Sequence, residues 1–277
     1  MTGQRAAVPG EQAAVTGERA KVPTAAAGPL TVTGVDGCAG GWVAVTLGQQ
    51  DPSVTVAATL DGLPLTAVTG IDMPLGLLAR GWREADRLAR RALGRRGVTV
   101  FAIPPRAALA APSYAEANRI CRELTGQGLS VQAYGLRRKI AEAEAYRTSR
   151  AADAPAHAPD APAHAPDGLP HAPDAPAAGV RGPVRLYEVH PELSFAVLAG
   201  GPLPDSKHTP AGLAVRRDLL RGAGITLPSR VAGLAENDLL DAAAVAWSAQ
   251  RIAAGRAVVL RSAAQRADDG TEITIRY

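Results

Sequence analysis

The sequence predicts an α/β domain that begins with an antiparallel sheet, and three observations support this fold class. Three runs rich in β-branched and apolar residues follow one another from residue 31 to 58, separated by short glycine or proline turns. Two further short strands are predicted at 67–72 and 184–189, with helical segments between them. An alanine-rich helix at 237–254 ends at Gly255, a residue type that commonly terminates helices.

Composition divides the chain into one domain and three less regular segments. Residues 1–30 repeat an imperfect heptad that contains glycine and proline, which predicts a disordered N-terminal tail. Residues 151–178 repeat histidine, alanine, proline and aspartate at period seven, which predicts a low-complexity insert within a domain spanning 31–260. Residues 261–277 are expected to form a poorly packed C-terminal tail that includes a late strand at 272–277.

Charge and cysteine content narrow the class of protein. The net charge is +4, and four aspartates in 151–178 oppose +8 on the rest of the chain, a mild bias toward polyanions such as nucleic acid. Cys38 and Cys121 have no metal-binding spacing, as expected for reduced thiols in a cytoplasmic protein. The sequence has no apolar run of about 18 residues and no apolar N-terminal signal region, so neither a membrane span nor secretion is expected.

Four acidic residues occur where an apolar element would ordinarily exclude a charge. Asp36, Asp72 and Glu188 each lie at the end of an apolar strand, and Asp241 lies early in the alanine-rich helix. If the strands share one sheet, these carboxylates converge and repel one another unless cations neutralise them. Oxygen ligands favour Mg²⁺ or Mn²⁺, and two such ions about 4 Å apart would support phosphodiester hydrolysis.

Three basic residues are candidate contacts for phosphate. Arg106 follows a stiff Pro-Pro segment, Lys139 lies in a helix predicted at 132–146, and Lys207 lies in a polar loop at 203–212. Each is also an ordinary surface residue type, so their assignment as phosphate ligands is a hypothesis.

Six motifs together resemble a known family. They are GVDG at 34, IDMPLGL at 71, FAIPPRA at 101, YEVHPELSF at 187, SKHTPAG at 206 and DLLDAAAVAW at 238. The pattern is similar to a bacterial and archaeal domain-of-unknown-function family whose members are labelled predicted ribonuclease H-like nucleases. The resemblance covers residues 31–260 apart from the insert, which is expected to leave the sheet intact.

The resemblance implies a ribonuclease H-like fold and a metal site. That fold has a mixed five-stranded sheet with three antiparallel strands first and helices on both faces. Carried over by motif, Asp36 is the metal ligand of the first strand, Asp72 that of the fourth strand and Asp241 that of the last helix. Glu188 occupies a strand end where the superfamily pattern is less regular.

Three functions are compatible with these residues. The first is a metal-dependent nuclease acting on DNA or RNA by a two-metal mechanism. The second is a non-catalytic domain that binds nucleic acid or protein and retains an acidic cluster. The third is a nucleotide-dependent phosphotransferase, in which the glycine-rich turn DGCAGGW at residue 36 cradles phosphate.

Overall fold

The computed structural model describes residues 30–48, 50–152 and 183–277. The strands are β1 (Val32–Cys38), β2 (Gly41–Leu47), β3 (Ser53–Ala57), β4 (Val68–Ile71), β5 (Arg185–Glu188), β6 (Val259–Arg266) and β7 (Glu272–Arg276). The α-helices are α1 (Glu84–Leu93), α2 (Arg106–Leu109), α3 (Tyr114–Thr125), α4 (Val131–Gly135), α5 (Arg137–Ala152), α6 (Pro191–Ala199), α7 (Pro210–Gly222) and α8 (Glu236–Ala253). Among these described helices, none combines the length and the apolar character needed to cross a bilayer.

Two sequence predictions concern segments that lie almost entirely outside the described residues. The tail at 1–30 is described only at Leu30, and the insert at 151–178 only at its first two residues, which end α5. The predictions of disorder for these two segments therefore stay predictions.

The main sheet has five strands in the order β3-β2-β1-β4-β5. Strands β1, β2 and β3 pair antiparallel, whereas β4 pairs parallel with β1, and β5 pairs parallel with β4. The prediction of an α/β protein with a mixed five-stranded sheet is thus confirmed. The carboxyl ends of β1, β4 and β5 meet at one edge of the sheet because these three strands run in the same direction.

Helices cover both faces of this sheet, and the alternation of side chains along β2 shows how. Trp42 and Ala44 face the side that α5 covers, where they pack with Ile140. Val43 and Val45 face the opposite side, where α6, α7 and α8 form the larger core. The alanines of α8 are almost completely buried, and their small side chains allow this helix to lie close to the sheet.

Two glycines on neighbouring strands make room for α8. Gly34 on β1 is in register with Gly70 on β4. A Cβ atom added to Gly34 would lie 2.0 Å from the backbone nitrogen of Ala246, and one added to Gly70 would lie 2.8 Å from Cγ1 of Val245. The helix backbone therefore occupies the space that a side chain at Gly34 would need, and Val245 occupies that at Gly70, so α8 packs closely against both strands.

The C-terminal residues form a packed hairpin, which corrects the expectation of a poorly packed tail at 261–277. Strands β6 and β7 pair antiparallel, with β7 close to the strand expected at 272–277. Alternation along β7 places Ile273 and Ile275 on one face, where both are buried in a cluster with α1 residues. Two ion pairs also hold the hairpin turn, one between Arg106 and Asp268 and the other between Arg147 and Asp269.

Candidate functional site

Three of the predicted acids converge at the carboxyl edge of the sheet. Asp36 near the end of β1, Asp72 directly after β4 and Asp241 in α8 each place one carboxylate oxygen within 4.8 Å of the other two. Val35 pairs with Ile71 in the parallel register, so the aspartates that follow them lie at the same level and face α8. We call these residues the three-aspartate cluster.

Burial and mutual repulsion disfavour three negative charges in this cluster. Burial raises the pKa of Asp36 well above its usual value, and the charges of Asp72 and Asp241 raise it further. Burial followed by the charge of Asp241 raises the pKa of Asp72 to about 7. Burial also raises the pKa of Asp241, which is only 1% exposed. The cluster therefore requires positive charge to be fully ionised at neutral pH.

Lys207 supplies one positive charge to the cluster. Its Nζ atom donates to Oδ2 of Asp241 at 2.5 Å. Burial alone would lower the pKa of Lys207, but Asp241, Asp72 and Asp36 together raise it above its usual value. The ammonium is consequently charged, and it opposes the rise in the pKa of all three aspartates.

A cavity of about 340 Å³ opens over the three-aspartate cluster, a size within the usual range for small-ligand sites. Its wall includes Lys139, whose Nζ donates to the carbonyl oxygen of Gly41 and lies 4.5 Å from the Trp42 ring centroid. The cavity thus combines oxygen ligands with two lysine ammonium groups. Other polar and aromatic groups on its wall are Asp86, Thr99, Phe101, Glu188, His190, Glu192, His208 and Asp238.

Glu188 lines the same cavity but does not join the cluster, in contrast to its prediction as a fourth metal ligand. Its Oε2 atom accepts a hydrogen bond from Arg83 at 2.5 Å and another from the backbone N–H of Leu75 at 2.8 Å. The parallel register explains this position, because Glu188 pairs with Ile71 and is therefore one residue short of the level of Asp72. A shift of one residue along a strand turns the side chain to the opposite face of the sheet.

We expect Glu188→Gln to reduce stability without removing cation binding. Arg83 is 1% exposed, and removing one partner of a buried ion pair costs about 3 kcal/mol or more. Asp86 lies 3.6 Å from Arg83 and remains as a second partner, so we expect a loss below about 3 kcal/mol. Urea unfolding measures the loss, and titration of Mn²⁺ followed by calorimetry measures the affinity. Loss of cation binding in a folded Glu188→Gln protein would show that Glu188 is a ligand of the cation after all.

Arg106 does not contact the cavity, although it was predicted to bind phosphate. Its guanidinium donates to both carboxylate oxygens of Asp268, at 2.7 and 2.8 Å, and to Glu144 at 3.2 Å. Its partners are therefore carboxylates, which join α2 to the C-terminal hairpin through Asp268 and to α5 through Glu144. Lys139 and Lys207, the other two predicted phosphate contacts, both line the cavity.

Two acidic groups near the cluster, one buried and one half-buried, were not among the predicted site residues. Glu192 is 4% exposed, and its Oε1 accepts hydrogen bonds from Arg216 at 2.6 Å and Arg96 at 3.2 Å. Asp238 precedes Asp241 by three residues in α8 and also lines the cavity. Helical spacing of three could have indicated that Asp238 shares the face of Asp241, whereas nothing in the sequence indicated that Arg216 is buried.

Without a divalent cation, the protein is expected to lose stability as the pH rises from about 4 to about 7. The native aspartates retain protons that the unfolded chain releases, so unfolding is favoured across this range. The pKa of Asp72, raised from 3.8 to about 7, corresponds to at most about 4 kcal/mol.

Thermal unfolding in the presence of a chelator, between pH 5 and pH 8, measures this dependence. Mg²⁺ is expected to raise the Tm at pH 8 more than at pH 5, because protonated carboxyl groups do not bind it. An equal effect of Mg²⁺ at both pH values would contradict the assignment of the cluster as the cation site.

Comparison with protein-family models identifies the chain by its sequence. A model described as a protein of unknown function (DUF429) matches residues 34–159 and 169–266, which include all three aspartates of the cluster. No curated protein and no solved structure matches the chain. The match extends over well more than half of the chain, and the protein therefore belongs to the DUF429 family of proteins of unknown function.

Proposed function

We propose that this protein is a metal-dependent nuclease that hydrolyses phosphodiester bonds of nucleic acid on a ribonuclease H-like fold. The observation that carries the proposal is the convergence of Asp36, Asp72 and Asp241, with one oxygen of each within 4.8 Å of the others. The mixed sheet supports the fold assignment, because its first three strands are antiparallel and helices cover both faces.

The residues of the cluster fit a hard divalent cation. All three candidate ligands are carboxylates, the ligand type that Mg²⁺ and Mn²⁺ prefer over softer metals. Their raised pKa values indicate that Lys207 alone does not neutralise them. When bound, such a cation would activate a water molecule and stabilise the charge that develops on phosphate oxygens.

The remaining polar groups of the cavity suit a phosphate-containing substrate. Lys207 and Lys139 each use one observed hydrogen bond, to Asp241 and to the carbonyl of Gly41, and an ammonium group has three donors. Both therefore have further donors for phosphate oxygens. The positive charge of the chain outside 151–178 would favour approach of a polyanion over a neutral substrate.

A cleavage assay tests the proposal. Chelator-treated protein would be incubated with labelled single-stranded DNA, duplex DNA, single-stranded RNA and an RNA–DNA hybrid, with Mg²⁺, with Mn²⁺ or without added cation. We expect cleavage of at least one substrate that requires the cation and disappears in Asp241→Asn. Binding without cleavage would favour the non-catalytic alternative, and cation-dependent hydrolysis of ATP alone would favour the phosphotransferase.

A further inference from the structure

We propose that the site binds a single divalent cation and that the ammonium group of Lys207 occupies the position of a second one. This inference rests on the proposed function, since it concerns the cation of the same three-aspartate cluster. It replaces the two-metal site expected from four carboxylates. It also gives Lys207 a positioning role that can be measured without an activity assay.

The number of available carboxylates supports one cation. Three carboxylates approach one another among the described residues, and Glu188 is instead bound to Arg83 and to the backbone of Leu75. The three ionised aspartates and the Lys207 ammonium together leave two negative charges. One divalent cation balances this charge, whereas two cations beside the ammonium would leave a net positive site.

The ammonium group of Lys207 lies against the three-aspartate cluster through its contact with Asp241. Its Nζ atom lies 2.5 Å from Oδ2 of Asp241, and its charge acts on Asp72 and Asp36 as well. Its side chain is only 30% exposed, so this charge is partly withdrawn from the screening of bulk water. A second divalent ion bound to Asp241 would compete with this ammonium group for the same carboxylate.

A tight turn before α7 fixes the backbone of Lys207. The carbonyl oxygen of Ser206 accepts hydrogen bonds from the backbone N–H of Thr209 at 3.1 Å and from its hydroxyl at 2.9 Å. The hydroxyl of Thr209 also accepts from the N–H of Gly212 at 3.1 Å. A Cβ on Gly212 would lie 2.0 Å from the Ser206 oxygen, so the turn depends on glycine there. The lysine is thus held in place by its backbone rather than attached to a free loop.

The other acids on the cavity wall, Asp86, Glu188, Glu192 and Asp238, are not part of the three-aspartate cluster, the one group of carboxylates that approach within 4.8 Å of one another among the described residues. One carboxylate oxygen of Asp238 accepts a hydrogen bond from the side-chain amide of Asn237 at 2.6 Å. Glu192 is paired with Arg216 and Arg96, which already supply positive charge to it. The side chains of Lys139 and His208 carry nitrogen atoms and add no oxygen ligand.

Calorimetric titration and electron paramagnetic resonance with Mn²⁺ test the inference on the full chain. We expect the wild type to bind one Mn²⁺ per chain and to give the spectrum of an isolated ion. Lys207→Gln removes the ammonium, and we expect it to bind two ions that give a spin-coupled spectrum. Lys207→Arg retains the charge and is expected to bind one ion, as is the control Lys139→Gln, which removes the other lysine of the cavity.

The outcomes separate this inference from the proposed function. A wild-type protein that binds two ions overturns the inference and leaves the nuclease proposal intact. A Lys207→Gln protein that is folded by circular dichroism and still binds one ion also overturns it. If the wild type binds no Mn²⁺ at either pH 7 or pH 8, both the inference and the metal-dependent function fail.

Discussion

Asp36→Asn is expected to remove divalent-cation binding and to lower the turnover of the proposed nuclease reaction at least about 1000-fold. A cation contributes several kcal/mol to stabilising charge in such a reaction, and each 1.4 kcal/mol corresponds to about a tenfold change in rate. Asp36 belongs to the three-aspartate cluster and is 8% exposed. Asparagine removes its negative charge, and water has little access to this position to act as a ligand instead. Calorimetry with Mn²⁺ and the cleavage assay measure the two effects.

The fold is expected to survive this substitution. The backbone N–H of Gly37 donates to Oδ1 of Asp36 at 2.6 Å, and an asparagine oxygen can accept the same hydrogen bond. Loss of one negative charge also relieves repulsion, so the cation-free variant should have a higher Tm than the wild type at pH 8. Asp51→Asn, in an exposed turn, is the matched control and should change neither binding nor turnover. Full activity of Asp36→Asn would refute the proposed metal site.

Gly34→Ala is expected to destabilise the protein by about 3 kcal/mol or more. The added Cβ would lie 2.0 Å from the nitrogen of Ala246 and 2.3 Å from the carbonyl oxygen of Ala242, both of which are backbone atoms of α8. Backbone atoms within a buried helix cannot rotate away, so the helix must move from the sheet and lose packing. Because α8 carries Asp241, cation affinity should fall together with stability.

Urea unfolding of Gly34→Ala and a glycine control measures this effect. Gly40 lies in the turn between β1, which contains Gly34, and β2, and a Cβ added to Gly40 would meet no atom within 4 Å. Gly40→Ala is therefore expected to change the free energy of unfolding by less than about 0.5 kcal/mol. Equal stability of the two variants would show that α8 does not depend on close contact at Gly34.

The candidate site could be predicted in part because an acid in an apolar setting is visible in the sequence. Asp36 lies near the end of an apolar strand, Asp72 directly follows one and Asp241 interrupts an apolar helix, and these three converge. Glu188 has the same appearance, but the register of β5 against β4 decides which face it occupies. Register depends on pairing between segments more than a hundred residues apart, and the local sequence does not specify it.

The burial of two arginines could not be predicted from the sequence. Arg83 and Arg216 are at most 1% exposed, yet their residue type is ordinarily found at the surface. Each pairs with an acid distant in sequence, Glu188 and Glu192 respectively, and Arg83 also pairs with Asp86 in the same helix region. The hairpin of β6 and β7 was partly concealed for a similar reason, since its packing depends on α1, far earlier in the chain. The alternating residues of β7 were the local signal that did indicate a strand.

The main sheet contains strands from two separate parts of the chain, which has a consequence for how the protein can be assembled. Strands β1 to β4 come from residues 30–152, whereas β5 and α8 come from residues 183–277. The first stretch provides Asp36 and Asp72, and the second provides Asp241 and Lys207, so neither contains a complete site. The two stretches are therefore complementary, since each supplies the site residues that the other lacks. Produced as separate polypeptides, they would restore cation binding only by associating, which makes the site a reporter of their assembly.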